Sequence, residues 1–316
     1  METTQPSTLD LGLSPRTGLV LTWWGNATLA IMSGQRSIVI DPYYHPLEPS
    51  FEYIFSTHEH YDHAYPETIK RLITGKNFKK AILPRSCLYP STRFFSRQLA
   101  FLEPEQYQIF YPKYFDHSVS RAQDTEYVGH SLESSEERES PFPGPDELWL
   151  DDWHVVGFEM VGEDAEVPFP IVGPMPQLGY FIEDLRSGVS FYHFGDNHWT
   201  YPEMAAIRGK VDIMFLPIGK MGLEEDAKAL DYMEPKVVIP VHWRYPGDDY
   251  PIPHLYENYE PPDQQIRGYH LPHPGSPPYP GQPSSPFEYI AGLKEIVDDR
   301  STELVQIQAG IPYEIL

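Results

Sequence analysis

The sequence predicts a strand-rich α/β (α+β) protein, and three observations carry that reading. Apolar residues arrive in short bursts of strand length bounded by turn residues, not in long runs with helical spacing. Helix-like segments fall between the later bursts, as they do where strands are joined by crossovers. With 316 residues, 41% of them hydrophobic, the chain can bury one large core or two small ones.

The first 17 residues are polar, carry Pro6 and Pro15, and read as a flexible N-terminal arm; residues 18–316 read as a single domain. Leu19–Trp24, Thr28–Met32 and Ser37–Ile40 have strand length, with Ser33-Gly34-Gln35-Arg36 as the turn between the last two. Tyr53–Phe55 is a further apolar run. Pro66 suits the first turn of a helix running through Leu72, and Lys80–Leu83 looks like the next strand. Residues from about 113 to 150 are polar and acidic and read as an insertion. Strand signals return at Trp153–Val161, Gly179–Ile182, Val189–Phe194, Val211–Leu216 and Val237–Val241, with helices expected at Pro202–Arg208 and Leu223–Tyr232. Between Tyr245 and Phe287 lie twelve prolines and six tyrosines, so sheet and helix are both excluded over most of an excursion of about 244–287. It reads either as irregular surface chain or as a stiff aromatic wall over a site. Phe287–Val297 looks helical, and Leu304–Leu316 looks like closing strands.

Asp and Glu number 46 against 23 Lys and Arg, a formal net charge of −23. Nucleic acid and anionic membrane would be repelled at long range, so neither is expected as a partner. No stretch approaches the roughly 20 apolar residues of a membrane span, and Met1 to Pro15 lacks the pattern of a signal peptide. The lone Cys87 excludes an internal disulfide and a cysteine-based zinc cage. The expected location is the cytoplasm, and a homo-oligomer is compatible with the chain.

The strongest chemical signal is Thr57-His58-Glu59-His60-Tyr61-Asp62-His63, directly after Tyr53–Phe55. A strand end aims His58 and His60 the same way, because side-chain direction repeats every two residues. The following turn presents Asp62 and His63 to a second ion. Imidazole nitrogens with carboxylate oxygens suit Zn, Mn or Fe better than Mg or Ca.

This loop resembles the His-x-His-x-Asp-His hallmark of the metallo-β-lactamase superfamily, and the likeness runs in order from Leu19 to Trp243. The segment Leu21–Thr28 followed by Ile38–Pro42 is similar to the family's opening strands. Phe191–Asp196 is similar to its Gly-Asp element, which implies Asp196 as a metal-bridging carboxylate. Val238–His242 is similar to the strand that ends in the last histidine ligand, His242. The nearest likeness is to the L-ascorbate-6-phosphate lactonase-like branch, through Trp23-Trp24-Gly25, Tyr192–His198 and Asp212–Gly219. The implied fold is an αββα sandwich, two mixed β-sheets flanked by helices, with two metals at one edge.

One departure from the family pattern changes the ligand set. The family usually places a third metal histidine at the end of a strand between its two halves. The matching strand here, His154–Val161, ends in Gly162-Glu163-Asp164, so Glu163 aligns to the ligand position, with Asp164 the near alternative. One ion would take His58, His60 and Glu163, the other Asp62, His63 and His242, with Asp196 between them. Two-histidine, one-carboxylate sets are the habit of non-haem iron sites, and the diiron β-hydroxylase of chloramphenicol assembly resembles this chain in having Glu there.

Around the ions, Asp41 at a strand end is placed to take the second N–H of a ligating histidine, and His193 flanks Asp196. His198, just beyond the Gly-Asp turn, is a candidate for contacting substrate or carrying a proton. Lys220, Trp243 and Arg244 are the substrate-binding candidates, Lys220 and Arg244 through an anionic group. Asn26 stands where many relatives have histidine, so no role carries over to it.

The expected activity is hydrolysis of a small organic substrate (lactone, ester, amide or phosphoester) by a hydroxide bridging two divalent ions, Zn or Mn. The ion on His58, His60 and Glu163 would polarise the substrate oxygen, with Asp62 or His198 as proton carrier. The alternative is a diiron oxygenase on the same fold, because the extra charge of Glu163 weakens Lewis acidity and stabilises ferric iron.

Overall fold

A computed structural model describes residues 7–11, 18–43, 50–60, 62–88, 99, 101–115, 144–160, 176–242 and 286–316. In chain order the strands of its first half are β1 (Ser7–Leu9), β2 (Leu19–Trp23), β3 (Leu29–Ser33), β4 (Arg36–Ile40), β5 (Tyr53–Phe55), β6 (Lys80–Leu83) and β7 (Tyr107–Ile109). Those of the second half are β8 (Glu147–Leu150), β9 (Trp153–Met160), β10 (Gln177–Asp184), β11 (Val189–His193), β12 (Ile213–Pro217), β13 (Val237–Val241), β14 (Glu303–Leu304) and β15 (Pro312–Ile315). Helices α1 (Pro66–Leu72), α2 (Leu223–Met233) and α3 (Pro286–Asp298) complete the set. None of these helices is long and apolar enough to cross a membrane.

The strands make one sheet ordered β1-β15-β2-β3-β4-β5-β6-β7 and another ordered β14-β13-β12-β11-β10-β9-β8. Both are mixed: β4, β5, β6 and β7 run parallel after the antiparallel β2–β3–β4 meander, and β11 to β14 run parallel beside antiparallel β8 to β10.

The period of two along each strand decides the layering. Leu21 and Trp23 of β2, Ile38 and Ile40 of β4, Tyr180 and Ile182 of β10, and Ile213 and Phe215 of β12 share one core between the sheets. The alternate residues point the other way. Val39, Ile54 and Leu83 pack on Ile69 and Leu72 of α1, while Met214, Leu216 and Val238 pack on Leu230 and Met233 of α2 and Leu293 of α3. Helix, sheet, sheet, helix is the αββα order that the family resemblance implied. Each fully buried aliphatic or aromatic side chain contributes about 1.5–3 kcal/mol.

Polar bonds also cross the layer. Tyr180 Oη donates to Ser56 O at 2.7 Å and Leu178 N donates to Thr57 O at 2.8 Å, fastening β10 to the loop after β5. Helix α1 begins at Pro66, with Glu67 in its first turn and Lys70 and Arg71 in its last, charges that suit the helix dipole.

Three expectations are corrected. Ser7–Leu9, placed in the flexible arm, form β1 in parallel register with β15. A polar segment can do this because an edge strand satisfies backbone groups without burying side chains. Glu147–Leu150, placed in the acidic insertion, form β8 against β9. Pro202–Ile207 is a 3₁₀ segment, not an α-helix, and the chain leaves it through Gly209 at φ +67°. Residues 1–6 and 12–17 of the arm, 116–143 of the acidic insertion and 244–285 of the Pro/Tyr-rich excursion lie outside the described residues.

Asp226 faces inward from α2, fully buried, and accepts a hydrogen bond from Tyr289 Oη of α3 at 2.6 Å. Burial pushes its carboxyl up to about 8; the Tyr289 bond opposes this and the neighbouring Glu225 charge adds to it. The folded chain therefore retains a proton that the unfolded chain releases near the ordinary value of 3.8. Ionisation of Asp226 adds no cost at low pH and destabilises the fold progressively as pH rises from about 4 to about 8. In urea unfolding, the wild type is expected to lose more stability than Asp226→Asn between about pH 5 and pH 8.5. Parallel pH profiles would show that the folded chain holds no proton there.

Candidate metal centre

The carboxyl ends of the parallel strands β4, β5, β11, β12 and β13 meet at one edge of the sandwich, where open α/β sheets place their ligands. Asp41, immediately after β4, is fully buried and sits at φ +49°, held by its N–H on Phe55 O at 2.8 Å. Its Oδ1 accepts from Thr57 N at 2.7 Å, and its Oδ2 accepts from Thr57 Oγ1 at 2.8 Å and from His63 Nδ1 at 2.7 Å. Having given its proton to Asp41, Thr57 Oγ1 accepts from His58 Nδ1 at 3.0 Å. Both histidines thus have Nδ1 engaged and Nε2 turned inward. After β5 the chain turns tightly, with the N–H groups of His63 and Ala64 both on His60 O.

The second sheet supplies the opposing donors. Beyond β11, Gly195 lies at φ +61°, and a Cβ there would stand 2.6 Å from Met160 Sδ and 2.9 Å from Thr57 Cβ. Only glycine lets this turn approach Thr57 closely enough to present Asp196. Its Oδ1 is 2.7 Å from His242 Nε2 and 3.1 Å from His63 Nε2, while Oδ2 is 3.9 Å from His58 Nε2. His242 follows β13 at φ +67° and donates its N–H to Asn26 O at 2.7 Å. Asn26 Nδ2 in turn donates to Asp62 Oδ2 at 3.2 Å.

Two overlapping groups result, His58 with His63 and Asp196, and Asp62 with His63 and His242, each with ligand atoms within 4.8 Å of one another. The electrostatics suit cations. Burial, with His63 and His60 nearby, holds His58 well below the ordinary histidine value, leaving a neutral imidazole. Burial also opposes charge on His63, yet Asp196, Asp41 and Asp62 together raise it well above that value. Burial would raise Asp196, but His242, Lys220 and His63 keep it well below the ordinary carboxylate value. His58 Nε2 is buried with no hydrogen bond, the condition of a donor that a metal would satisfy.

His60 is half-buried, its ring 4.4 Å from that of His58. His198 is half-buried two residues past Asp196. His193 is hydrogen-bonded at both nitrogens, Nε2 to Ala27 O at 2.9 Å and Nδ1 accepting from Gly195 N at 2.9 Å. Burial lowers its basicity, and as a neutral ring it braces the glycine turn. Lys220, expected to meet an anionic substrate group, pairs with Asp196 Oδ2 at 2.7 Å, the buried anion being its nearest partner. Glu163, Asp164, Trp243 and Arg244 lie outside the described residues. Sequence reasoning missed Thr57 and Asn26; a hydroxyl directly preceding the first histidine was the available signal for the former.

Residues 20–242, more than half of the chain, match the family described as a beta-lactamase superfamily domain. The chain belongs to that superfamily, with the metallo-β-lactamase fold. A UPF0173 protein of Pyrococcus abyssi is 25% identical over 230 residues, 71% of this chain and 82% of that one. A UPF0173 metal-dependent hydrolase of Pyrococcus furiosus is 38% identical over 71 residues, 21% of this chain and 30% of that relative's length. Among solved metallo-β-lactamase-fold relatives, a candidate metal-dependent hydrolase from Parabacteroides distasonis aligns at TM-score 0.52 and 17% identity, covering 92% of this chain and 93% of that one. CmlA, a diiron β-hydroxylase from Streptomyces venezuelae, aligns at TM-score 0.54 and 14% identity, covering 95% of this chain and 54% of that one. At such identities the structures speak for the fold alone. At family level the chain falls among the metal-dependent hydrolases of the metallo-β-lactamase superfamily.

Replacing the acceptor-only carboxylate by an amide turns an N–H₂ toward donors. Asp41→Asn is expected to destabilise the fold by about 2–4 kcal/mol. It should also lower divalent-metal affinity about 10–100-fold by freeing the His63 ring. An unchanged denaturation midpoint together with unchanged metal uptake would show that Asp41 orients nothing.

Proposed function

We propose that the chain is a hydrolase of a small organic molecule (lactone, ester, amide or phosphoester) that works with two divalent ions. The observation that carries the reading is the convergence of buried His58, His63, His242, Asp62 and Asp196 from two sheets on one point, with Asp41 fixing the ring of His63. His58 and His60, with Glu163, would hold one ion; Asp62, His63 and His242 would hold the other; Asp196 offers an oxygen to each. Zinc or manganese held there would supply a nucleophile from water near neutral pH and draw charge from the substrate oxygen.

The protein groups do the positioning and the proton handling. Asn26 keeps the Asp62 carboxylate turned toward His63 and His242. His198, half-buried at the rim, carries the proton to the leaving group, with Asp62 as the other candidate. Trp243 and Arg244, adjacent in sequence to His242, and the Pro/Tyr-rich stretch after them would meet the substrate. The motif likeness to the lactonase-like branch leaves the scissile bond open among these classes, and a soluble cytoplasmic enzyme fits the acidic composition.

A diiron oxygenase is the second reading. The carboxylate aligned at Glu163 and the fold likeness to a diiron β-hydroxylase support it.

Metal content per chain, measured by mass spectrometry on protein expressed without added metal, separates the two. About two zinc or manganese ions and a colourless protein are expected for the hydrolase, with turnover in a lactone and ester panel. Iron with charge-transfer absorption and O₂ consumption would replace that reading with the oxygenase. Where the wild type holds iron or manganese, Glu163→His should shift metal preference toward zinc; metal content unchanged in that case would remove Glu163 from the ligand set and point to Asp164.

A further inference from the structure

The two oxygens of Asp196 have unlike neighbours. Oδ1 faces His242 Nε2 at 2.7 Å and His63 Nε2 at 3.1 Å. Oδ2 faces the Lys220 ammonium at 2.7 Å, with His58 Nε2 behind it at 3.9 Å. Lys220 is not a free-swinging surface lysine, since its side chain is 13% exposed. It rides on the turn after β12, where Ile218 N donates to Val241 O at 3.1 Å and Gly219 and Gly222 lie at φ +75° and +87°. Asp226 N donates to Gly222 O at 3.0 Å, and the Asp226 carboxyl accepts from buried Tyr289 of α3 at 2.6 Å, so the far end of the turn is tied to α2 and α3. The parallel pairing of β12 with β11 and β13 delivers this turn to the edge that carries Asp196 and His242.

We infer that Lys220 makes the two metal positions unequal by occupying Asp196 Oδ2 in competition with the ion on the His58 side. This rests on the two-ion reading above. An ion among Asp62, His63, His242 and Asp196 Oδ1 leaves the Lys220 contact intact. An ion at His58 needs Oδ2 as a ligand, and an ammonium and a metal cation cannot share that oxygen without repulsion. The second ion therefore enters only by displacing Lys220, and the displaced ammonium is then available to an anionic group of the substrate. Loading is sequential, with the Asp62–His63–His242 position first.

The test is a calorimetric titration of the metal-stripped full chain with Zn²⁺ against a competing chelator. The wild type should show two steps whose affinities differ by at least about tenfold, within the usual range of site coupling. Lys220→Met should close the gap to about threefold or less, chiefly by tightening the second step, while Lys220→Arg, which keeps the cation, should preserve it. Equal steps in the wild type, a result that needs no variant to fold, overturn the inference. So does a gap unchanged in Lys220→Met. If neither the wild type nor Lys220→Met takes up a second ion, the two-ion reading itself fails and this inference with it.

Discussion

The carboxylate of Asp41 is sealed from water, and its oxygens are committed to Thr57 and His63. An isolated buried anion costs several kcal/mol, and it is tolerated only where donors converge on it in good geometry. Three pieces of chain must therefore keep their mutual positions: the end of β4, the start of the loop after β5, and the ring of His63. The left-handed backbone at Asp41 adds strain of order 1 kcal/mol, held in place by its N–H on Phe55 O. Thr57 extends the same constraint to His58 through one hydroxyl. A single acceptor thus aligns two histidines that the sequence alone only places near each other.

The opposite wall is constrained differently, by close packing and not by charge. Gly195 is pressed against Thr57 and Met160, and His193, locked on Ala27 O, props the turn from behind. Left-handed residues recur at Asn26, Asp41 and His242, after three of the strands that border the centre. Such conformations cost free energy and survive where neighbouring hydrogen bonds over-determine them. Stability has been given up here for the placement of a few nitrogen and oxygen atoms.

Most strands were legible in the sequence because they follow from short-range rules, whereas their αββα layering was implied only by the resemblance to the metallo-β-lactamase superfamily. The period of two in β2 to β6 and β9 to β13 separates inward from outward residues without reference to tertiary structure. The spacing of His58, Asp62 and His63 needs only a strand end and a turn. What was not legible depended on partners far along the chain. The match of His193 to Ala27 O joins positions 166 apart, and no local pattern announces it. Lys220 carries a long side chain that can reach many acceptors, so its pairing with Asp196 is a product of the fold. Ser7–Leu9 form a strand through backbone bonds to β15, which leave no trace in hydrophobicity.

The centre is also a seam. Its donors come from residues 58–63 of one sheet and 196–242 of the other, so neither half holds an ion well by itself. Cations bound there would rivet the two sheets together, and their binding free energy would add to that of the shared core. The assembly would then have two fasteners of different character, an apolar core that is nearly insensitive to solution conditions and a coordination joint that answers to metal supply. Opening of the sandwich at that edge, seen as faster backbone amide exchange near Thr57 and Gly195, would rise and fall with the free metal concentration around the molecule.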